Sequence, residues 1–264
     1  MRVLVTNDDG VASPGLAVLA EAVAETGHDV VVVAPLEDRS GWGAALGPFH
    51  RDQEVAYEAV ELEEAPGIEA YGLDGPPALA VMMARLGGFG PPPDLVVSGI
   101  NPGANTGRSI LHSGTVGAAL TAANLGVSGM AVSLAAGRPH HWATAGQVAG
   151  LAMDWLVHAP RGTVLNLNVP NLDLAEVAGV RPARLAPFGT VQAAMAGSDR
   201  GRLQVRMERR GAELASDTDT ALVAAGMVAV TAITGIRAVG EVDVAGWLAK
   251  RLASSLGDRP SRTL

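Results

Sequence analysis

The chain has 264 residues, a mass of 26.8 kDa and a formal charge of −8 at neutral pH. Its 48% apolar and 17% charged residues exclude a disordered chain. The acidic balance excludes a general electrostatic grip on DNA or RNA, and 3% aromatic residues exclude a base-stacking platform for single strands. Cysteine is absent, so disulfide scaffolds, zinc fingers, iron–sulfur clusters and cysteine nucleophiles are excluded too. The opening MRVLVTNDDG reaches two carboxylates before an apolar leader could form, and no apolar run reaches the roughly 18 residues of a membrane helix. A cytoplasmic protein without a membrane partner is expected.

Arg2–Thr6 is rich in branched apolar residues with little alternation, the pattern of a strand buried on both faces. Ser13 and Pro14 then read as N-cap and first helical residue. Leu16, Leu19, Ala20 and Val23 make one apolar helical face, and Gly27 ends it. Residues 29–34 (DVVVVA) form a second buried strand. This β-α-β unit implies parallel strands and a right-handed crossover.

Residues 36–48 are a glycine-rich loop. Residues 54–62 alternate as a half-exposed strand, predicted to form a hairpin with 68–72. A helix at 76–86 leads to a buried strand at 94–98 and a long loop at 99–112. A helix at 114–125 stops at Gly126, a strand follows at 130–134, then a helix at 141–158 and a strand at 163–169. After Pro170 the pattern weakens. Residues 172–215 hold two charged, alternating stretches, including 202–210, and read as a projecting hairpin region. A short helix at 217–225, a strand at 227–233, an amphipathic helix at 241–256 and a loose tail complete the chain. The alternation of strands and helices predicts an α/β fold with a doubly wound, mostly parallel sheet. A single domain, 1–264, is expected, with its core in 1–171 and 216–256 and an extension at 172–215.

In open α/β sheets, ligands bind beyond the carboxyl ends of the strands. Three strand ends are polar: Asn7-Asp8-Asp9-Gly10, Asp38-Arg39-Ser40-Gly41 and Ser98-Gly99-Ile100-Asn101. Asp8 and Asp9 are adjacent carboxylates at a low-dielectric edge, where two anions repel unless they share a proton or a cation. A hard divalent ion such as Mg²⁺ takes oxygen ligands and resolves the conflict. The same four residues are also good turn chemistry, so a solvated turn competes with the metal reading. Ser40 and Asn101 would add a hydroxyl and an amide oxygen, leaving open positions for water and a phosphate oxygen. Residues 101–115 are long for a loop inside a compact domain, which favours function. Ser113-Gly114-Thr115 then opens a helix, where free N–H groups and hydroxyls can cradle phosphate or simply cap the helix.

Other signals fail. Gly41, Gly43 and Gly47 lie in a long loop after the second strand, so no dinucleotide fingerprint is present. There is no Walker A sequence, Lys250 being the only lysine, and no G-x-S-x-G elbow. His140 and His141 read as a solvated pair before a helix. His112 is a candidate substrate contact or proton donor.

Taken in order, VTNDDG, SPGL, VVVAPLEDRSG, PDLVVSGINPGAN, SGTVGAA, GVSGMAVSL and SDTDTALVAAGMVAVTAI resemble the signatures of the SurE family of metal-dependent 5′-nucleotidases. The resemblance implies hydrolysis of nucleoside 5′-monophosphates, with 3′-nucleotides and short polyphosphate as further substrates. It implies one divalent metal ion per subunit, Mg²⁺ or Mn²⁺, at Asp8, Asp9, Ser40 and Asn101. It places phosphate at Asn105, Ser113, Gly114 and Thr115. It further implies a Rossmann-like core with a projecting hairpin and a swapped C-terminal segment, assembled as a homodimer or homotetramer. Three places depart from the family pattern: Gly107-Arg108-Ser109 stands for an acidic Gly-Asp-Asp, His112 for a frequent Tyr, and Trp42-Gly43 for small and polar residues.

The expected mechanism is in-line attack of water on the phosphate monoester, assisted by the cation, with Asp8 and Asp9 as the catalytic carboxylates. The competing reading is a nucleotide-binding regulatory protein that binds phosphate at residues 113–115 and turns nothing over.

Overall fold

The computed structural model describes residues 1–47, 54–187, 192–199, 201–208 and 214–236, with 245, 247–249 and 251 as isolated positions. The expected helix at 241–256 and the tail therefore lie largely outside the described residues.

The chain opens with β1 (Arg2–Thr6), α1 (Pro14–Glu25) and β2 (Asp29–Pro35), the β-α-β unit expected from its pattern. The short edge strand β3 (Tyr57–Val60) pairs antiparallel with β4 (Glu69–Leu73), as the hairpin signal predicted, and β4 joins β2 in parallel. There follow α2 (Pro77–Arg85), β5 (Leu95–Asn101), α3 (Gly114–Asn124), β6 (Ser128–Leu134), α4 (Trp142–Leu156) and β7 (Val164–Val169). The C-terminal half adds β8 (Val180–Pro182), β9 (Gln192–Asp199), β10 (Arg202–Glu208), α5 (Asp219–Ala224) and β11 (Val228–Ile233). Among the described residues the main sheet runs β3-β4-β2-β1-β5-β6-β7-β11-β8. Only β3 and β11 run antiparallel to their neighbours, β4 and β7. The ribbon β9–β10 is separate. The weakly patterned stretch after Pro170 thus divides: β8 lies parallel to β11 in the main sheet, and only the later residues form the ribbon.

Strand alternation sends side chains to two cores. Val3 and Val5 pack with Leu16, Leu19 and Val23 of α1 and Ala149 and Met153 of α4. Leu4 and Val96 face the other way, onto Leu79 and Val81 of α2 and Ala118 and Ala122 of α3. Each buried Val or Leu contributes about 1.5–3 kcal/mol through loss of water contact.

Two features of this plan position the site. The chain winds outward in both directions from the β1–β5 junction, so the carboxyl ends of those strands flank a topological switch point. In addition, α4 packs with α1 and not with α3. The β6–α4–β7 connection therefore has the opposite hand to β5–α3–β6, an uncommon arrangement. It leaves the α3 face of β6 and β7 to be covered by the 3₁₀ turn Gly107–His112 and the segment around Leu185.

The loop expected at 99–112 is shorter than its sequence implies. Strand β5 runs on through Gly99 and Ile100, because Gly99 takes φ +135° and has no Cβ to strike the Val132 carbonyl. The His140-His141 pair is not simply solvated: the His140 ring tilts on Trp142 at 4.6 Å, and His141 Nδ1 lies 2.9 Å from Asp173 Oδ1. No helix among the described residues is long and apolar enough to cross a membrane.

Candidate active site

The turn after β1 is closed by Asn7, whose Nδ2 donates to the Gly10 carbonyl at 3.0 Å while its Oδ1 accepts from the Gly10 N–H at 3.3 Å. This holds Asp8 and Asp9 at the switch point. Asp8 is only 3% exposed. Its Oδ1 accepts from the Thr115 hydroxyl at 2.5 Å and its Oδ2 from the Gly114 N–H at 3.2 Å. The first turn of α3 therefore caps Asp8, an arrangement that suits an anion at a helix N-terminus. Gly114 is required there, since a Cβ would fall 2.7 Å from both Cβ and Oδ2 of Asp8. Burial raises the Asp8 pKa, and the Thr115 and Gly114 hydrogen bonds pull it back.

Asp9 is half-buried, and its Oδ2 is a buried atom without a hydrogen-bond partner. Burial, then the neighbouring Asp8 and Asp38 carboxylates, push its pKa up to about 7. Asn101, at the end of β5, is brought to the same place: its Oδ1 lies 3.5 Å from the Thr115 hydroxyl, and its Nδ2 donates to the Gly103 carbonyl at 2.6 Å. The loop after β2 reaches across as well, with the Arg39 N–H donating to the Asp8 carbonyl at 2.7 Å. Ser40 follows on that loop. It is exposed, with its backbone N–H on Asp38 Oδ1 at 2.8 Å.

A divalent cation suits this set. Two carboxylates in a desolvated crevice repel, and Asp9 presents an unsatisfied acceptor. Among the described residues no cluster of three or more His, Asp or Glu offers a metal site. Asn101 Oδ1, beside the Thr115 hydroxyl, offers a neutral oxygen there; the Ser40 hydroxyl makes no described contact with Asp8, Asp9 or Asn101.

The residues expected at phosphate divide in their roles. Ser113 caps α3, its Oγ accepting from the Val116 N–H at 3.1 Å. The Thr115 hydroxyl is committed to Asp8, so at this position only the backbone N–H is left to meet an anion. Asn105 sits further along the loop, its Nδ2 donating to Ser133 Oγ at 2.9 Å. His112 is exposed at the end of the 3₁₀ turn.

The survival protein SurE family profile matches residues 3–190. The chain belongs to the SurE family. It is 38% identical over 257 residues to the 5′-nucleotidase SurE of Alkalilimnicola ehrlichii, covering 94% of this chain and 95% of the relative. To that of Trichormus variabilis it is 40% identical over 186 residues, covering 70% of this chain and 69% of the relative. The crystal structure of the SurE protein from Aquifex aeolicus superposes with a TM-score of 0.74 at 28% identity, covering 98% of this chain and 100% of that one.

Among the residues that depart from the expected family pattern, Trp42, Arg108, Ser109 and His112 are exposed, while Gly43 and Gly107 are buried. Trp42 is exposed, with the Arg39 guanidinium 5.4 Å from its ring, and Arg39 pairs with Asp74 at 3.0 Å. Arg108 is exposed, its N–H donating to the Ala186 carbonyl at 3.1 Å. Sequence reasoning missed three buried residues that hold the site loop: Asn166, Asn168 and Asp219. The two asparagines carried a usable signal, since polar residues two apart on an apolar strand share one face. Asp219 carried none, for nothing in DTDT tells the buried carboxylate from the exposed one at Asp217.

Proposed function

We propose that this SurE-family chain is a metal-dependent 5′-nucleotidase that hydrolyses nucleoside 5′-monophosphates to nucleoside and phosphate. Nucleoside 3′-monophosphates and short polyphosphate are further candidate substrates. The observation that carries the reading is the Asp8–Asp9 pair at the switch point, one carboxylate locked by α3 and the other left with a free oxygen. The names of the curated relatives support it.

In this reading Asp8, Asp9, Ser40 and Asn101 hold one Mg²⁺ or Mn²⁺ per subunit. The bound cation would offset charge on a phosphoryl oxygen and favour ionisation of water. Asp8 is the fixed anchor. Asp9, whose Oδ2 is unpaired, is suited to ligate the cation and to orient the attacking water. Asn105, the Ser113 hydroxyl and the Thr115 N–H would meet the phosphate and stabilise its equatorial charge. The exposed His112 is our candidate for the substrate contact or proton donor at the leaving alkoxide.

We also infer a cytoplasmic homodimer or homotetramer, with no nucleic-acid polymer as partner. Among the described residues, the ribbon β9–β10 pairs only with itself, and it exposes Leu203 and Val205. Light scattering should give a mass of at least twice 26.8 kDa at micromolar concentration, and a lone 26.8 kDa species would contradict this.

The functional reading is tested with p-nitrophenyl phosphate over a pH and metal series. Turnover abolished by chelator and restored by Mg²⁺ or Mn²⁺ is expected. Tight nucleotide binding without turnover would favour a non-catalytic binding protein.

A further inference from the structure

We propose that Asp219, Asn166 and Asn168 are positioning residues for the phosphate subsite, acting by gripping the backbone of residues 105–107. The inference rests on the phosphatase reading above and deepens it.

All three side chains are fully buried. Asp219 lies beyond residues 3–190, which the family profile matches, yet its Oδ2 accepts from the Gly107 N–H at 2.8 Å. Its Oδ1 accepts from the N–H groups of Ala186 at 2.9 Å and Thr220 at 2.8 Å. No salt bridge to Asp219 occurs among the described residues; backbone N–H groups satisfy the charge. Such bonds are the strong, charge-assisted kind, and a buried carboxylate that lost them would be heavily penalised. One carboxylate thus ties together the site loop, the segment at 184–186 and the start of α5. The Arg108 N–H on the Ala186 carbonyl doubles that tie.

Asn166 and Asn168 grip from below. Both project from the α3 face of β7, and each Nδ2 donates to the Asn105 carbonyl at 2.9 Å. Their own Oδ1 atoms are buried without partners. Two donors on one carbonyl, with both acceptors left unpaired, is a poor bargain for stability. It is understandable if the placement of Asn105 is what matters. Ser133, the register partner of Asn168, completes the hold by accepting from Asn105 Nδ2. Residue 105 is fixed through both backbone and side chain, and residue 107 through its N–H.

Catalytic donors must be held to within about half an ångström of their working positions. The grip bears on Asn105, which the phosphatase reading assigns to phosphate. None of its three residues hydrogen-bonds Asp8, Asp9 or Asn101 among the contacts described. Loosening it should therefore weaken phosphate binding and leave the metal affinity alone.

The test uses the full-length protein and three variants. Asp219→Asn keeps the size but loses an acceptor, and Asn168→Leu removes one donor while Asn166 remains. Leu167→Ala is the control, because Leu167 faces the opposite core and its loss destabilises the sheet without touching the loop. Inorganic phosphate binding is measured by calorimetry at saturating Mn²⁺, Mn²⁺ binding separately, and Tm for each protein. Phosphate Kd should rise about tenfold in Asp219→Asn and Asn168→Leu, with Mn²⁺ Kd unchanged. Leu167→Ala should lower Tm and leave phosphate Kd alone. If the two loop variants behave like the control, or if Mn²⁺ binding shifts as far as phosphate, the inference is overturned. Should Asp219→Asn fail to fold, Asn168→Leu decides. Because phosphate binding is read without turnover, a wild type that binds phosphate but hydrolyses no nucleotide would sink the catalytic reading alone. A wild type that binds no phosphate would sink both.

Discussion

Replacing Thr115 by Val removes a single hydroxyl from the wall of the site. That hydroxyl lies 2.5 Å from Asp8 Oδ1, is fully buried, and is the strongest of the contacts that hold the Asp8 pKa down against burial. Without it, among the described residues, Asp8 relies on its own backbone N–H and the longer bond from Gly114 at 3.2 Å. A hydrogen bond to a charged group is worth roughly 1.5–3 kcal/mol, or about ten- to hundredfold in an equilibrium constant. The loss favours protonated Asp8, so protons compete more strongly with the cation. The metal concentration for half-maximal activity should therefore rise about tenfold or more near neutral pH, and the rise should shrink as pH increases. The assay titrates Mn²⁺ into chelated protein at saturating substrate, then titrates inorganic phosphate as inhibitor at saturating Mn²⁺. Phosphate inhibition should hold. If phosphate inhibition weakens and the metal curve stays put, the Thr115 hydroxyl faces phosphate, as the family resemblance alone implied, and the geometric argument fails.

Asp9→Asn and Asp8→Asn should each abolish metal-dependent turnover while circular dichroism shows an intact fold; near-normal turnover in both would refute the site. In metal-free protein the folded Asp9 pKa of about 7 lies above its unfolded value of 3.8. The folded state then holds a proton that the unfolded state releases, so this group's contribution falls as pH rises from about 4 to 7. Asp9→Asn should match wild type near pH 4 and melt higher at pH 8, with added Mg²⁺ raising only the wild-type Tm; equal melting at both values would show that Asp9 is not destabilised. Gly114→Ala should lower both Tm and metal affinity, because a Cβ 2.7 Å from Asp8 overpacks by about 1–3 kcal/mol. That exceeds the gain of about 1 kcal/mol from a better helix former, so a more stable variant with normal metal binding would contradict the close approach.

The β-α-β opening and the parallel sheet were legible because buried strands and amphipathic helices leave different periods in the sequence. Asp8, Asp9 and Asn101 were legible too, as polar residues that interrupt apolar strands at their carboxyl ends. The roles of individual atoms were not. Thr115 reads as a helix-start hydroxyl, and only the distance to Asp8 assigns it to the carboxylate. The continuation of β5 through Gly99 depends on a contact with Val132 on a neighbouring strand, which no local pattern carries. Asn166, Asn168 and Asp219 act on residues 61 to 112 positions away, so their function appears only once the sheet is assembled.

The most direct measurement of the central claim is phosphate release from a panel of nucleoside 5′-monophosphates by protein stripped of metal. The account predicts no release until Mg²⁺ or Mn²⁺ is added, then turnover in wild type and none in Asp9→Asn. Release that ignores both chelator and the loss of Asp9, or no release under any metal, would contradict it.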